Sequence, residues 1–186
     1  MSKLSVDQKN IISLFGDKNS NFVIPDYQRP YAWTEEECQT LWEDIFEFAF
    51  PNGQYEEYYL GPIVTFKNEN NKKEVIDGQQ RLTTLMLLLR AFYVRFSLMK
   101  TDESMKTRDL IAKCIWRTDE FGTANLNELK IDSEVATDND KEEFLDILKT
   151  GIVKDNQKSK YAKNYRFFQA EIEEFLNEYL DVFSYF

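Results

Sequence analysis

Histidine is absent from the 186 residues. Without an imidazole, no Ser-His-Asp or Cys-His nucleophile can be assembled within the chain. A His-containing zinc site and a histidine-based nuclease are excluded on the same ground. Cysteine is scarce: Cys38 and Cys114 stand far apart. Two thiols cannot complete a four-ligand zinc site, and the spacing is not that of a secreted disulfide scaffold. Both are expected to be buried free thiols in a reducing cytoplasm. Long apolar runs are missing too. The longest, Leu85 to Leu89, is bounded by Thr83-Thr84 and Arg90, far short of the ~20 residues of a membrane span. Met1 to Asn10 is polar and lacks the pattern of a signal peptide. The expected location is the cytoplasm, with no membrane partner.

What is present is enough for a core: 42% of residues are hydrophobic and 15% aromatic. Global disorder is thereby excluded. The 33 acidic and 23 basic side chains give a net charge of −10, distributed unevenly. Residues 1–60 carry 4 basic and 11 acidic groups, and residues 118–153 carry 3 and 10. Residues 67–117 carry 11 basic and 6 acidic groups, and residues 154–166 carry 5 and 1. The acidic total argues against a nonspecific nucleic-acid coat. The two basic windows leave room for a local phosphate-binding surface.

Ser5-x-x-Gln8 fits a capping box opening a short helix that Gly16 stops. Phe22-Val23-Ile24 predicts a strand ended by Pro25. Thr34-x-x-Glu37 is a second capping box, and Cys38, Leu41, Trp42, Ile45, Phe46 and Ala49 come after it at helical spacing to about Phe50. Tyr58 to Phe66 and Glu74 to Ile76 predict two strands of a hairpin across a polar turn at 67–73. Leu82 to about Met99 is apolar almost all round and predicts a central buried helix. Further helices are expected at 105–116, 138–148 and 161–179, with a short strand at 128–131 and a lysine-rich linker at 154–160. The chain ends on an apolar stretch from Tyr179 to Phe186, which either packs on the core or awaits a partner or further chain.

Two segments carry the candidate chemistry. In VIDGQQRLTT, Val75 to Thr84, an apolar strand runs through a glycine turn into a helix. Backbone N–H groups at such a helix start attract anions, phosphate above all. Arg81 can add a bidentate contact, Gln79 and Gln80 neutral donors, and Thr83 and Thr84 hydroxyls. Asp77 can hold Mg²⁺ through water or position a nucleophilic water. The alternative is that Asp77 caps the helix and pairs with Arg81. The other segment, IPDYQRPYAW, Ile24 to Trp33, sets three aromatics, an arginine and a glutamine on a backbone fixed by two prolines. Its rings can stack on a base or simply pack on the core. The pairs Gln28-Arg29 and Gln80-Arg81 point to a shared site. Gly61 within YYLGPIV marks close approach of a ligand or backbone. Lys158, Lys160, Lys163, Asn164, Tyr165 and Arg166 form a basic helix start, expected to be a solvated face.

IPDYQRPYAW, YYLGPIV, VIDGQQRLTTL and the later KYAKNYRFF, in this order, resemble the N-terminal domain of the GmrSD-type restriction proteins over about residues 5 to 180. The resemblance implies an α+β fold with a ParB/sulfiredoxin-like core: a small β-sheet, a central buried helix and additional C-terminal helices. Residues 1–100 would hold the core and both motifs, and residues 101–186 a helical extension of the same domain. It implies binding and hydrolysis of a nucleoside triphosphate with a divalent metal at Asp77, Gly78, Gln79, Gln80 and Arg81. Asp77, Gln80 and Arg81 would be catalytic, with Mg²⁺ on Asp77. Gly78, Gln79, Thr83, Thr84, Gln28 and Arg29 would bind the nucleotide. Tyr27, Tyr31 and Trp33 become candidates for sensing modified DNA. Such proteins usually carry a C-terminal HNH-type nuclease domain, which this histidine-free chain does not contain, so DNA cleavage by these residues is not implied. The alternative is a DNA-recognition or protein-docking module without catalysis.

Overall fold

The computed structural model describes residues 5–49 and 58–183, with side chains described as far as residue 177. Two short strands, the apolar β1 (Phe22–Ile24) and β6 (Ile131–Ser133), lie parallel in register, Phe22 opposite Ile131 and Ile24 opposite Ser133. On the other side of β1, β3 (Lys73–Asp77) also runs parallel, with Phe22 opposite Lys73. β2 (Val64–Lys67) closes this edge antiparallel to β3, giving the order β2-β3-β1-β6. Parallel pairing needs a crossover. Between β1 and β3 runs α2 (Glu35–Ala49). Between β3 and β6 run α3 (Gln79–Leu98), α4 (Asp102–Ile115) and a separate antiparallel pair, β4 (Trp116–Thr118) with β5 (Ala124–Leu129). Helices α1 (Ile11–Phe15), α5 (Lys141–Thr150) and α6 (Lys160–Phe183) complete the described elements. The fold is α+β, built on a small mixed sheet.

The centre of the molecule is α3. Leu82, Leu85, Met86, Leu87, Leu88 and Ala91 are all buried, so apolar groups face the sheet on one side and α4, α5 and α6 on others. Phe15, Phe22, Cys38, Phe144, Tyr165 and Phe168 join the same core, drawn from both halves of the chain. Cys38 and Cys114 are free and buried, and burial pushes the Cys38 thiol up to about 12.

Two buried cations tie elements together. Lys130 donates its Nζ to the carbonyls of Phe15 and Asp17 at 2.8 and 2.7 Å, fastening α1 to the start of β6. Arg90 donates to the carbonyls of Leu148 and Lys149. Those are orphan acceptors at the negative end of α5, where a cation is favoured.

Several expectations are corrected. The first helix begins at Ile11, where Asn10 rather than Ser5 caps it by accepting from the Ser13 N–H. The strand expected from Tyr58 narrows to Val64–Lys67, because Gly61 takes φ +90° and turns the chain out of the extended path. The expected helical extension supplies β6 to the main sheet as well as β4 and β5. Phe50 and the apolar terminus from Tyr179, as regards its side chains, lie outside the described residues.

Candidate functional site

Because β1 and β3 are parallel neighbours, the segments leaving them emerge at the same edge of the sheet. IPDYQRPYAW leaves the carboxyl end of β1 and DGQQR the carboxyl end of β3. This is the edge at which open α/β sheets place their ligands. The two motifs are then stitched together by side-chain amides. Gln28 donates its Nε2 to the carbonyls of Val75 and Ile76 at 3.1 and 2.9 Å. Gln79 donates to the carbonyl of Arg29 at 3.0 Å. Gln80 accepts from the Ala32 N–H at 2.6 Å and donates to the Pro30 carbonyl at 3.2 Å. A glutamine carries a donor and an acceptor on one planar group, so it satisfies a strand-like segment as a neighbouring strand would. The proline-rich segment cannot enter a sheet, and these glutamines take the place of the missing ladder.

A polar chain continues inward. Asn164 donates its Nδ2 to the Tyr31 hydroxyl at 2.8 Å and to the Trp33 carbonyl at 3.0 Å. The Tyr31 hydroxyl lies 2.7 Å from Thr84 Oγ1, which donates onward to the Gln80 carbonyl at 2.9 Å. Tyr31 also stacks on Tyr161 at 4.7 Å between centroids. Tyr161 donates to Asp138 Oδ2 at 2.5 Å, and Lys160 donates to the Ala32 carbonyl at 2.8 Å. Burial raises the pKa values of Tyr31 and Tyr161 far above the ordinary phenol value. Neither ring ionises in the folded protein at neutral pH.

The outer half of the site differs. Gly78 is the N-cap of α3 at φ 86° and ψ 11°, a left-handed conformation open to glycine. A Cβ there would lie 2.9 Å from the Pro62 carbonyl oxygen, so the backbone of residues 61–62 closes on the turn. No side chain caps the helix. The N–H groups of Gln79, Gln80 and Arg81 have no intrahelical acceptor, and the first helical bond runs from Leu82 to the Gly78 carbonyl. Asp77 is exposed, and the ion pairs among the described residues do not include it. The alternative in which Asp77 caps the helix and pairs with Arg81 is therefore not realised. Arg81 donates one N–H to the Pro62 carbonyl at 2.9 Å, and its guanidinium lies where a Gly61 Cβ would be, at 2.9 Å. Arg29 and Tyr27 are exposed, Tyr27 at 66%.

The candidate residues thus divide. Asp77, Gly78, Arg81, Arg29 and Tyr27 share the open edge, whereas Gln28, expected to bind nucleotide, is half-buried with its amide donating to the Val75 and Ile76 carbonyls. Gln79, Gln80, Thr83 and Thr84 are each buried. Their side chains were expected to donate to a ligand, but Gln79, Gln80 and Thr84 are spent on protein partners, and Thr83 is turned inward. Tyr31, expected to sense DNA, is buried at 8% exposure and belongs to the polar chain. Trp33 is half-buried against the core. Sequence reasoning passed over Asp138 and placed Asn164 only in a basic helix start. The basic helix start was expected to be a solvated face, yet Asn164 and Tyr165 are fully buried. The Asn-Tyr pair four residues after Lys160 was the one signal for this. Among the described residues no group of three carboxylates, cysteines or histidines could hold a metal ion.

A mixed sheet that delivers a glycine turn, an uncapped helix start and a proline-braced arginine segment to one edge defines a class: an α+β domain whose two motifs meet at the carboxyl ends of parallel strands. The particular family is given by the sequence. The family profile described as the GmrSD restriction endonuclease, N-terminal domain, matches residues 11–186, and the chain belongs to that family. No curated protein matches it. Membership places the chain with the restriction and phage-defence proteins. No described helix is long and apolar enough to cross a membrane.

Proposed function

We propose that this domain binds a nucleoside triphosphate at the DGQQR edge and hydrolyses it, as the regulatory part of a DNA-restriction protein. The observation that carries the reading is the division of the site. Gln79 and Gln80 fix the IPDYQR segment against the start of α3, and the groups left facing outward all suit a polyphosphate. Three backbone N–H groups at the positive end of a 20-residue helix bind anionic oxygens. Arg29 and the remaining N–H groups of Arg81 add charge-assisted donors. Asp77 accepts a hydrogen bond from the attacking water. The water oxygen bonds to the terminal phosphorus, the bond from that phosphorus to the bridging oxygen breaks, and the water proton passes to the carboxylate or to the released phosphate. One carboxylate fits a Mg²⁺ that arrives with its triphosphate, since that ion usually takes one or two carboxylates beside phosphate oxygens and water. When bound, it would offset charge on the phosphates. In the full-length protein the partner is a C-terminal nuclease domain, and its DNA is the substrate that this domain would license.

The test is phosphate release from the common triphosphates with Mg²⁺. Asp77→Ala should abolish turnover, with helical circular dichroism unchanged. Full activity in that variant means the site is elsewhere. Absence of turnover and of binding in well-folded wild type, together with salt-dependent DNA binding, favours the module without catalysis.

A further inference from the structure

The opposite end of the sheet carries a second concavity of different make. Its volume is about 240 Å³, and it lies between the turn at 19–21, the β2–β3 hairpin and β4. β3 spans residues 73–77, so about 13 Å of strand separates it from Asp77. In a chain with 33 acidic groups, no carboxylate lines it. Its charged groups are Lys67, Lys72 and Arg117, and the rest of its wall is asparagine. The hairpin tip is fixed: Asn68 Oδ1 accepts from the N–H groups of Asn70 and Lys72, both at 3.0 Å, and Asn71 sits at φ 60°. Two wall atoms are shut off from solvent and have no partner among the described residues, Asn21 Oδ1 and Arg117 Nε. A half-turn of the Asn21 carboxamide presents N–H groups instead. The ion pairs that reach its cations are long, Lys72 to Asp132 at 3.9 Å and Arg117 to Glu128 at 3.7 Å, with both acidic side chains at least half exposed, and the adjacent Asp17 carboxylate is held by the Asn19 N–H at 2.7 Å. Such pairs contribute little and exchange readily.

We infer that this concavity is a phosphate-binding site that takes the phosphodiester backbone of a nucleic acid, separate from the DGQQR edge. Cations and carboxamides with no carboxylate among them suit an oxyanion with several acceptor oxygens. No aromatic or aliphatic side chain lines the wall, so it offers no ring on which a base could stack. The contact positions a strand without reading its sequence.

The experiment uses the whole 186-residue chain and a fluorescent DNA duplex, with affinity measured at about 50 to 200 mM salt. Lys67→Gln/Lys72→Gln/Arg117→Gln should weaken binding at least tenfold at low salt. It should also flatten the log–log salt slope by about 2 to 3, near 0.9 per lost phosphate contact. Lys67→Gln/Lys72→Gln changes only two hairpin lysines and should lose about two-thirds of that slope. Triphosphate binding at the DGQQR edge should be unchanged in both. A control with Lys100, Lys106 and Lys149 changed to Gln has the same net charge. Equal losses in the control and the triple variant, or an unchanged slope in the triple variant, would overturn the site. Displacement of DNA by inorganic phosphate at matching phosphate concentration would reduce it to a small-anion site and overturn the nucleic-acid assignment.

Discussion

The two halves of the DGQQR edge are made from adjacent residues and behave as opposites. The inner half, Gln79, Gln80, Thr84, Tyr31 and Asn164, is buried and bonded to itself. The outer half, Asp77, Arg29 and Tyr27, is exposed. Arg81 stands between them, half-buried, with one N–H held by Pro62. A motif that is continuous in sequence is thus a buried scaffold on one side and a set of exposed polar groups on the other. The helix boundary explains it: Asp77 ends β3 ahead of the Gly78 cap, whereas Gln79 and Gln80 lie in the buried first turn of α3. Substitutions in the inner half should act on stability, and those in the outer half on ligand binding alone.

The sharpest break should come from Gln80→Leu. It strands the Ala32 N–H and the Pro30 carbonyl, each left partly buried. The cost should be about 3 kcal/mol, read as a fall of about 10 °C in thermal midpoint. Asn164→Leu removes two donors from a fully buried position and should cost about 2 kcal/mol. Its effect should be smaller but not lost in the Tyr31→Phe background, because the Tyr31 bond is shared while the Trp33 carbonyl still loses its donor. Tyr31→Phe alone should cost about 1 kcal/mol. Additive losses in that cycle would mean that the polar chain does not act as a unit.

Alkaline pH probes the same inner half. Burial raises the pKa values of Tyr31 and Tyr161, and pushes Tyr165 up to about 12. The unfolded chain releases these protons from pH 10.0 upward, the ordinary tyrosine value, while the folded chain keeps them. The folded state therefore binds more protons there, and its stability, complete below that pH, falls as pH rises through the raised values. Urea midpoints should be lower at about pH 11 than at about pH 9. A flat profile would place these hydroxyls in water. The smallest effect on stability should belong to Asp77→Ala, within about 0.5 kcal/mol of wild type. A larger loss would make Asp77 part of the scaffold.

Much of the frame was legible in the sequence. Half of the expected capping box at Thr34 and Glu37 forms, with Glu37 Oε2 accepting from the Thr34 N–H and hydroxyl at 2.6 and 2.7 Å. The β2–β3 hairpin was legible from aromatic and β-branched runs across a polar turn, and the buried α3 from its apolar content. Local patterns could not show that β1 and β3 are parallel neighbours, which is what brings the two motifs together. The β4–β5 pair was hidden because ANLNEL is largely exposed and its partner at Trp116 comes directly after a helix. At the site, residue type announced polar chemistry but not its direction. Thr84 and Tyr31 look like ligand groups until their burial shows that each hydroxyl already has a protein partner.

The central claim is that the outer half binds a triphosphate without contributing to the scaffold. Calorimetric titration of Mg²⁺-triphosphate into wild type and Arg29→Ala, with thermal melts of both, tests it most directly. Saturable binding by wild type, weakened at least tenfold, or about 1.4 kcal/mol, in Arg29→Ala at an unchanged midpoint, is the predicted result. Equal binding by both proteins, or no binding by folded wild type, would contradict it.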